Sequence, residues 1–191
     1  MAATVSRKLR PPAGSFFLFG PRGTGKTTWL RQTFPDALWL DLLLPENERL
    51  FSARPERLRE RVEAHPENAV VIVDEVQRVP ALLPVVHGLI EKRRDLRFAI
   101  TGSSARKLRR AGQDLLGGRA VQLLMSPFLA CELGDGFSLE SALEQGLVPL
   151  VHGAAEPAAT LSGYCGLYVS QEVKAEGMVR NVGAFARFLE S

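Results

Sequence analysis

The chain has 191 residues, of which 46% are hydrophobic and 24% charged, and its formal net charge is +3. This composition is that of an ordinary globular protein and excludes fibrous and low-complexity classes. The apolar runs, such as AVVIV at 69–73, are strand-sized and too short to cross a bilayer. The basic N-terminus has no apolar segment of a secretory signal, and Cys131 and Cys165 belong to no metal or disulfide pattern. We therefore expect a cytoplasmic protein with no membrane partner.

Segments of strand and helix character alternate along the first two thirds of the chain. Helical spacing is present in KTTWLRQTF, in RPERLRERVEAH, in ALLPVVHGLIEKRRD, where Pro84 is expected to interrupt the helix, and in SARKLRRAGQDLL. This alternation predicts an α/β fold with a mainly parallel five-stranded sheet flanked by helices. The five expected strands are SFFLF (15–19), ALWLDL (37–42), AVVIV (69–73), RFAIT (97–101) and AVQLL (120–124).

The character of the sequence changes after residue 133. A short helix is expected after Ser138, which is a suitable N-cap, with Gly146 near its end. The rest of 134–163 is expected to be linker. The last stretch, MVRNVGAFARFLES, carries an apolar stripe at helical spacing. We thus expect a core at 1–133, a short helix and linker at 134–163, and the start of a helical domain at 164–191.

A glycine-rich loop follows the first expected strand. GPRGTGKT, residues 20–27, satisfies the P-loop pattern G-x-x-x-x-G-K-[ST] and precedes a helix. Glycines bring backbone N–H groups close to phosphate oxygens, Lys26 would neutralise the β- and γ-phosphates, and the Thr27 hydroxyl would ligate Mg²⁺. The residues predicted to bind a nucleotide are Gly20, Pro21, Arg22, Gly23, Thr24, Gly25, Lys26, Thr27 and Thr28.

Two adjacent carboxylates end the third expected strand, in VVIVDEVQ. Asp74 is predicted to hold Mg²⁺, and Glu75 to polarise the water that attacks the γ-phosphate. On an extended strand the two side chains would point to opposite sides. Gln77 could orient water or simply begin the next helix, and the second interpretation is favoured. The sequence has no N-K-x-D base-recognition motif, which favours ATP over GTP.

Four segments together resemble a known family. GPRGTGKTT, VVIVDEVQRVP, FAITGSSARKL and GGRAVQLLMSPFLACEL are similar to the AAA+-like predicted ATPases of bacteria and archaea, in which a P-loop domain precedes a C-terminal domain of unknown function. The resemblance covers about residues 12 to 150. It implies ATP and Mg²⁺ as cofactors, and it implies that the strand carrying TGSS lies between the P-loop strand and the strand of Asp74. It also implies that most of the C-terminal domain is missing from this chain.

The resemblance assigns roles to three further residues. Thr101 and Ser103, at the end of the fourth strand, would sense the γ-phosphate and the attacking water. Arg119 lies where related ATPases have an arginine that stabilises transition-state charge in a neighbouring subunit, which implies a homo-oligomer or a partner protein. A salt bridge is the alternative interpretation of Arg119.

Three functions are compatible with these motifs. The first is an ATPase that uses Asp74 and Glu75. The second is an ATP-dependent switch that hydrolyses slowly or not at all. The third is association with DNA or RNA through a basic cluster, which a solvated helix face explains equally well. That cluster consists of Arg106, Lys107, Arg109 and Arg110.

Overall fold

The computed structural model describes residues 5–65, 70–103, 105, 108, 116–168, 183 and 185. The chain divides into two compact units, Arg7–Ser126 and a smaller unit that contains the residues from Pro127 onwards. The expected domain boundaries after residues 133 and 163 stay predictions. The four residues of the basic cluster and most of the C-terminal stripe lie outside the described residues.

The larger unit is built on a five-stranded parallel sheet with the order β2-β3-β4-β1-β5. This confirms the expected fold class, and β4 lies between β1 and β3 as the family resemblance implied. The register pairs Phe19, the last residue of β1, with Gly102 of β4 and Leu124 of β5. The strands are β1 (Phe16–Phe19), β2 (Leu38–Asp41), β3 (Val70–Asp74), β4 (Arg97–Gly102) and β5 (Val121–Leu124).

Helices follow the strands in the larger unit and make up most of the smaller one. In the larger unit they are α1 (Lys26–Thr33), α2 (Pro45–Ala53), α3 (Arg57–Glu63) and α4 (Leu82–Lys92). In the smaller unit they are α5 (Ala130–Leu133), α6 (Leu139–Gln145), α7 (Pro149–His152) and α8 (Pro157–Leu167). None of the helices within the described residues is long and apolar enough to span a membrane.

The helices of the larger unit differ from the sequence-based expectation in two respects. Helix α2 was not predicted, because it buries only Phe51 and so has no repeating apolar face. Its signals were Pro45 in the first turn and the acidic residues that follow. Pro84 does not interrupt α4, because it is the third residue of that helix, where the backbone N–H has no intrahelical partner.

The smaller unit contains more helix than the linker expected at 134–163. Helix α6 is confirmed, with the Ser138 hydroxyl accepting a hydrogen bond from the Ser141 N–H at 3.3 Å and Gly146 at its end. Helices α7 and α8 both begin with a proline, and α8 buries none of its residues. Helix α8 was not predicted, because its small side chains form no apolar stripe that hydrophobic periodicity could detect.

Apolar side chains cover both faces of the sheet. On one face β1 contributes Phe17 and Phe19, which pack with buried residues of α2, α3 and α4. On the other face Phe16 and Leu18 pack against Trp29 of α1. Burial on both faces explains why β1, β3 and β4 read as continuous apolar runs rather than alternating ones. The packing also fixes the ends of the strands, where the polar residues lie.

Arg97 attaches the segment before β1 to the amino end of β4. Its guanidinium donates to the carbonyl oxygens of Pro12 and Gly14 and lies 4.8 Å from the ring centroid of Phe34. Burial lowers the pKa of Arg97 from its ordinary value. The side chain thus stabilises the start of β1 by packing and by hydrogen bonds together.

The start of the glycine loop is pressed against the end of β5. The Met125 N–H donates to the Phe19 carbonyl at 2.7 Å, which continues the β1–β5 ladder up to the loop. A Cβ atom built on Gly20 would lie 2.2 Å from the Met125 carbonyl oxygen, and Gly20 has φ +156°. No other residue fits this position without a shift of backbone.

We expect Gly20→Ala to lower the free energy of unfolding by about 1–3 kcal/mol, because the added methyl group overlaps a backbone carbonyl. Denaturant unfolding followed by circular dichroism measures the change. Gly14→Ala is the control, since a Cβ at Gly14 meets nothing within 4 Å. Equal stabilities of the two variants would contradict the close approach of Met125.

Candidate nucleotide-binding site

The glycine loop forms a turn between β1 and α1 that requires two further glycines. Gly23 and Gly25 have φ values of 80° and 86°, in the left-handed region that favours glycine. The Thr24 hydroxyl donates to the Pro21 carbonyl at 2.9 Å and closes the turn. Gly25 is the N-cap of α1, no side chain caps the helix, and its first turn contains no acidic residue. The positive end of α1 is therefore available to an anion.

Lys26 is the first residue of α1 and is only 6% exposed. Its ammonium donates to the carbonyl oxygens of Gly20 at 2.7 Å and of Pro21 at 3.1 Å, both in the glycine loop. These bonds direct the charge back over the loop. Phosphate oxygens form stronger, charge-assisted bonds with an ammonium than neutral carbonyls do. Lys26 is thus placed to exchange these carbonyls for phosphate.

A buried carboxylate connects three elements at the carboxyl end of the sheet. Asp74 is 2% exposed; its Oδ2 accepts a hydrogen bond from the Thr27 hydroxyl at 2.9 Å, and its Oδ1 accepts one from the Thr101 hydroxyl. Thr27 belongs to α1, Asp74 to β3 and Thr101 to β4. The structure therefore brings together three site residues that are far apart in the sequence.

Glu75 departs from the extended geometry expected for it. Its φ and ψ values are 61° and 49°, so the chain leaves β3 through a residue in the left-handed region. The Glu75 N–H donates to the Thr101 hydroxyl oxygen at 2.9 Å. Its half-buried side chain accepts a hydrogen bond from the amide of Gln77. Gln77 is the middle residue of a short 3₁₀ helix, Val76–Arg78, rather than its first, and its contact with Glu75 was not expected.

The remaining loop and strand-end residues occupy the same edge of the sheet. Arg22 and Thr28 are exposed, and Ser103 is half-buried directly after β4. The Thr101 hydroxyl donates to Asp74 and accepts from the Glu75 N–H, so sensing phosphate would require it to release Asp74. The sensor roles of Thr101 and Ser103 stay predictions.

Arg119 lies away from the glycine loop of its own chain. It precedes β5, whose residue Val121 pairs with Phe16 at the start of β1, whereas the loop follows the end of β1. The three residue steps from the start to the end of β1 span about 10 Å. The guanidinium forms an ion pair with Glu91 and donates to the Gly117 carbonyl at 3.3 Å. A role of Arg119 in catalysis therefore requires a neighbouring subunit.

Comparison with known proteins identifies the larger unit. A family model described as an AAA domain matches residues 13–134, more than half of the chain. The chain belongs to the AAA domain family. At the level of the family, this places it among the ATP-binding P-loop ATPases, as the resemblance of its motifs indicated.

Two further comparisons add less. The AAA domain chain is similar to a solved structure, the Walker-type ATPase paby2304 of Pyrococcus abyssi, with 13% sequence identity and a TM-score of 0.46. That similarity covers 86% of this chain and 70% of the other. A search of curated proteins found no match.

We expect Thr101→Val in this AAA domain to lower the free energy of unfolding by about 1–3 kcal/mol. Valine keeps the shape but leaves Asp74 Oδ1 and the Glu75 N–H without their hydrogen-bond partner. Thermal unfolding measures the effect. The control is Thr33→Val, whose hydroxyl donates only to the Trp29 carbonyl one turn earlier in α1, and which should change stability by less than about 0.5 kcal/mol. If both variants unfold alike, the hydroxyl does not hold the strand ends together.

Proposed function

We propose that this AAA domain binds Mg-ATP at the glycine loop and hydrolyses it with Glu75 as general base. The observation that carries the proposal is the hydrogen bond between Thr27 and Asp74, next to a lysine that is buried in the loop. A hydroxyl and a carboxylate in contact at the start of a P-loop helix are the protein ligands expected for a nucleotide-bound metal ion.

Phosphate binding would use the loop in three ways. The glycine residues expose backbone N–H groups, the uncapped start of α1 contributes its positive dipole end, and Lys26 contributes a full charge. On binding, phosphate oxygens would replace the carbonyl oxygens of Gly20 and Pro21 as acceptors for the Lys26 ammonium. The loop is already closed by Thr24, so little backbone ordering is required.

The chemistry of the donors fits Mg²⁺. This ion prefers oxygen ligands and takes only one or two from the protein, the rest being water and phosphate. The two partners of Asp74 are neutral hydroxyls, which offset only part of the cost of burying a charged carboxylate. A cation held by Thr27 and Asp74 would complete that compensation. Held by Thr27 and Asp74, such an ion would neutralise charge that develops on the phosphates.

Hydrolysis would place a water between Glu75 and the γ-phosphate. The water oxygen forms a bond to the γ-phosphorus as the bond to the ADP oxygen breaks, and the water proton passes to the Glu75 carboxylate. Glu75 is held at its N–H by Thr101 and at its carboxylate by Gln77, so its position is defined before ATP binds. Arg119 of a neighbouring subunit and Ser103 are the candidates for stabilising transition-state charge and sensing phosphate.

Lys26→Ala should weaken Mg-ATP affinity at least about tenfold, because the phosphates lose the buried cation of the glycine loop. Isothermal titration calorimetry measures the change. The control is Lys92→Ala, which removes an exposed lysine paired with Glu63 and should bind as the wild type does. An affinity unaffected by Lys26→Ala would show that the loop does not bind triphosphate.

Glu75→Gln should abolish steady-state phosphate release while Mg-ATP affinity stays within about twofold of wild type, since glutamine cannot take up the proton. Phosphate release and nucleotide binding are measured on the same preparation. Loss of binding instead would assign Glu75 a structural role. A wild-type chain that binds ATP without turnover would support the alternative, an ATP-dependent switch.

A further inference from the structure

Gln77 contacts Glu75 in a way that packing does not explain. The Gln77 Nε2 group donates to Glu75 Oε2 two residues earlier in the chain. Its other polar atom, Oε1, is buried and has no hydrogen-bond partner among the described residues. A buried polar atom without a hydrogen-bond partner is a cost to the stability of the fold. An apolar side chain of the same length would avoid this cost, which indicates that the amide serves Glu75.

Gly102 provides the space in which the Gln77 amide lies. A Cβ atom built on Gly102 would lie 2.9 Å from Gln77 Oε1, closer than real Cβ contacts. The nearest other atom is Phe19 Cε1 at 3.4 Å, and Gly102 is not in the left-handed region. Alanine at this position would therefore displace the end of the Gln77 side chain and little else.

We propose that Gln77 is a positioning residue for the hydrolytic step and that Gly102, which has no side chain, leaves the space that the Gln77 amide occupies. The inference rests on the proposed function of Glu75 as general base. Gln77 holds one carboxylate oxygen of Glu75 and leaves the other for the attacking water. A glutamate side chain has several rotamers, and one fixed oxygen restricts them before the substrate arrives.

Gln77→Met tests the amide at nearly constant side-chain length. We expect kcat for ATP hydrolysis to fall about tenfold, with KM and Mg-ATP affinity within about twofold of wild type. Gln77→Glu should not restore kcat, because a carboxylate cannot donate to Glu75. Gln122→Met, an exposed glutamine on β5, is the matched control. An unchanged or higher kcat in Gln77→Met, or a loss confined to KM, would overturn the proposal.

Gly102→Ala tests the space at Gly102 while residue 77 remains glutamine. It should lower kcat to a similar extent, and the double variant Gln77→Met/Gly102→Ala should be no slower than the slower single variant, since both changes remove one contact. If the two decreases in kcat multiply in the double variant, Gly102 acts separately from Gln77. That result would contradict the role proposed for Gly102.

A measurement without ATP separates this inference from the proposed function. The side-chain amide proton signals of Gln77, identified by their loss in Gln77→Met, should shift in nucleotide-free Glu75→Ala because the carboxylate acceptor is gone. If they do not shift, Gln77 does not hold Glu75 and the inference fails. If they shift while the wild-type chain hydrolyses no ATP, the contact stands and the proposed ATPase activity fails instead.

Discussion

The arrangement of the site depends on the hydrogen bonding of the buried Asp74 carboxylate. A charged group at 2% exposure is tolerated only where other groups compensate for the water it has lost. Thr27 and Thr101 supply part of that compensation, from α1 and β4. Because both hydroxyls must reach the same carboxylate, the start of α1 and the ends of β3 and β4 are held in one relative position. The glycine loop leads directly into α1, so its position relative to Asp74 is fixed as well.

Strand order makes this connection possible. β4 lies between β1, which leads into the glycine loop, and β3, which ends in Asp74. Thr101 is therefore next to both, although it follows Asp74 by 27 residues. Hydrophobic periodicity predicted that the strands exist, and their alternation with helices predicted that they are parallel, but neither contains information about their order. Only the placement of β4 between β1 and β3 came from the family resemblance, because pairing is decided by tertiary packing rather than by any one segment.

What could be predicted from the sequence followed from chemistry that restricts residue type. Glycines at tight turns, a lysine for phosphate and a carboxylate at a strand end have few substitutes, so GPRGTGKT and DE identified the site. The sequence offered a water-orienting role for Gln77 only as an alternative, and the contact of Gln77 with Gly102 could not be predicted, since it joins two elements that meet only in the fold. Helix α8 was missed for a different reason. Its residues bury no apolar face, so no periodic pattern distinguishes it from linker.

The left-handed backbone conformation of Glu75 is energetically unfavourable, and contacts within the site hold it in place. A non-glycine residue with positive φ is disfavoured by about 1–2 kcal/mol, and such residues persist where surrounding contacts hold them. Here the Thr101 hydroxyl accepts the Glu75 N–H while it donates to Asp74. One hydroxyl thus couples the proposed metal ligand to the proposed base. The turn at Glu75 also leads directly into the short 3₁₀ helix that carries Gln77, whose amide donates to the Glu75 carboxylate.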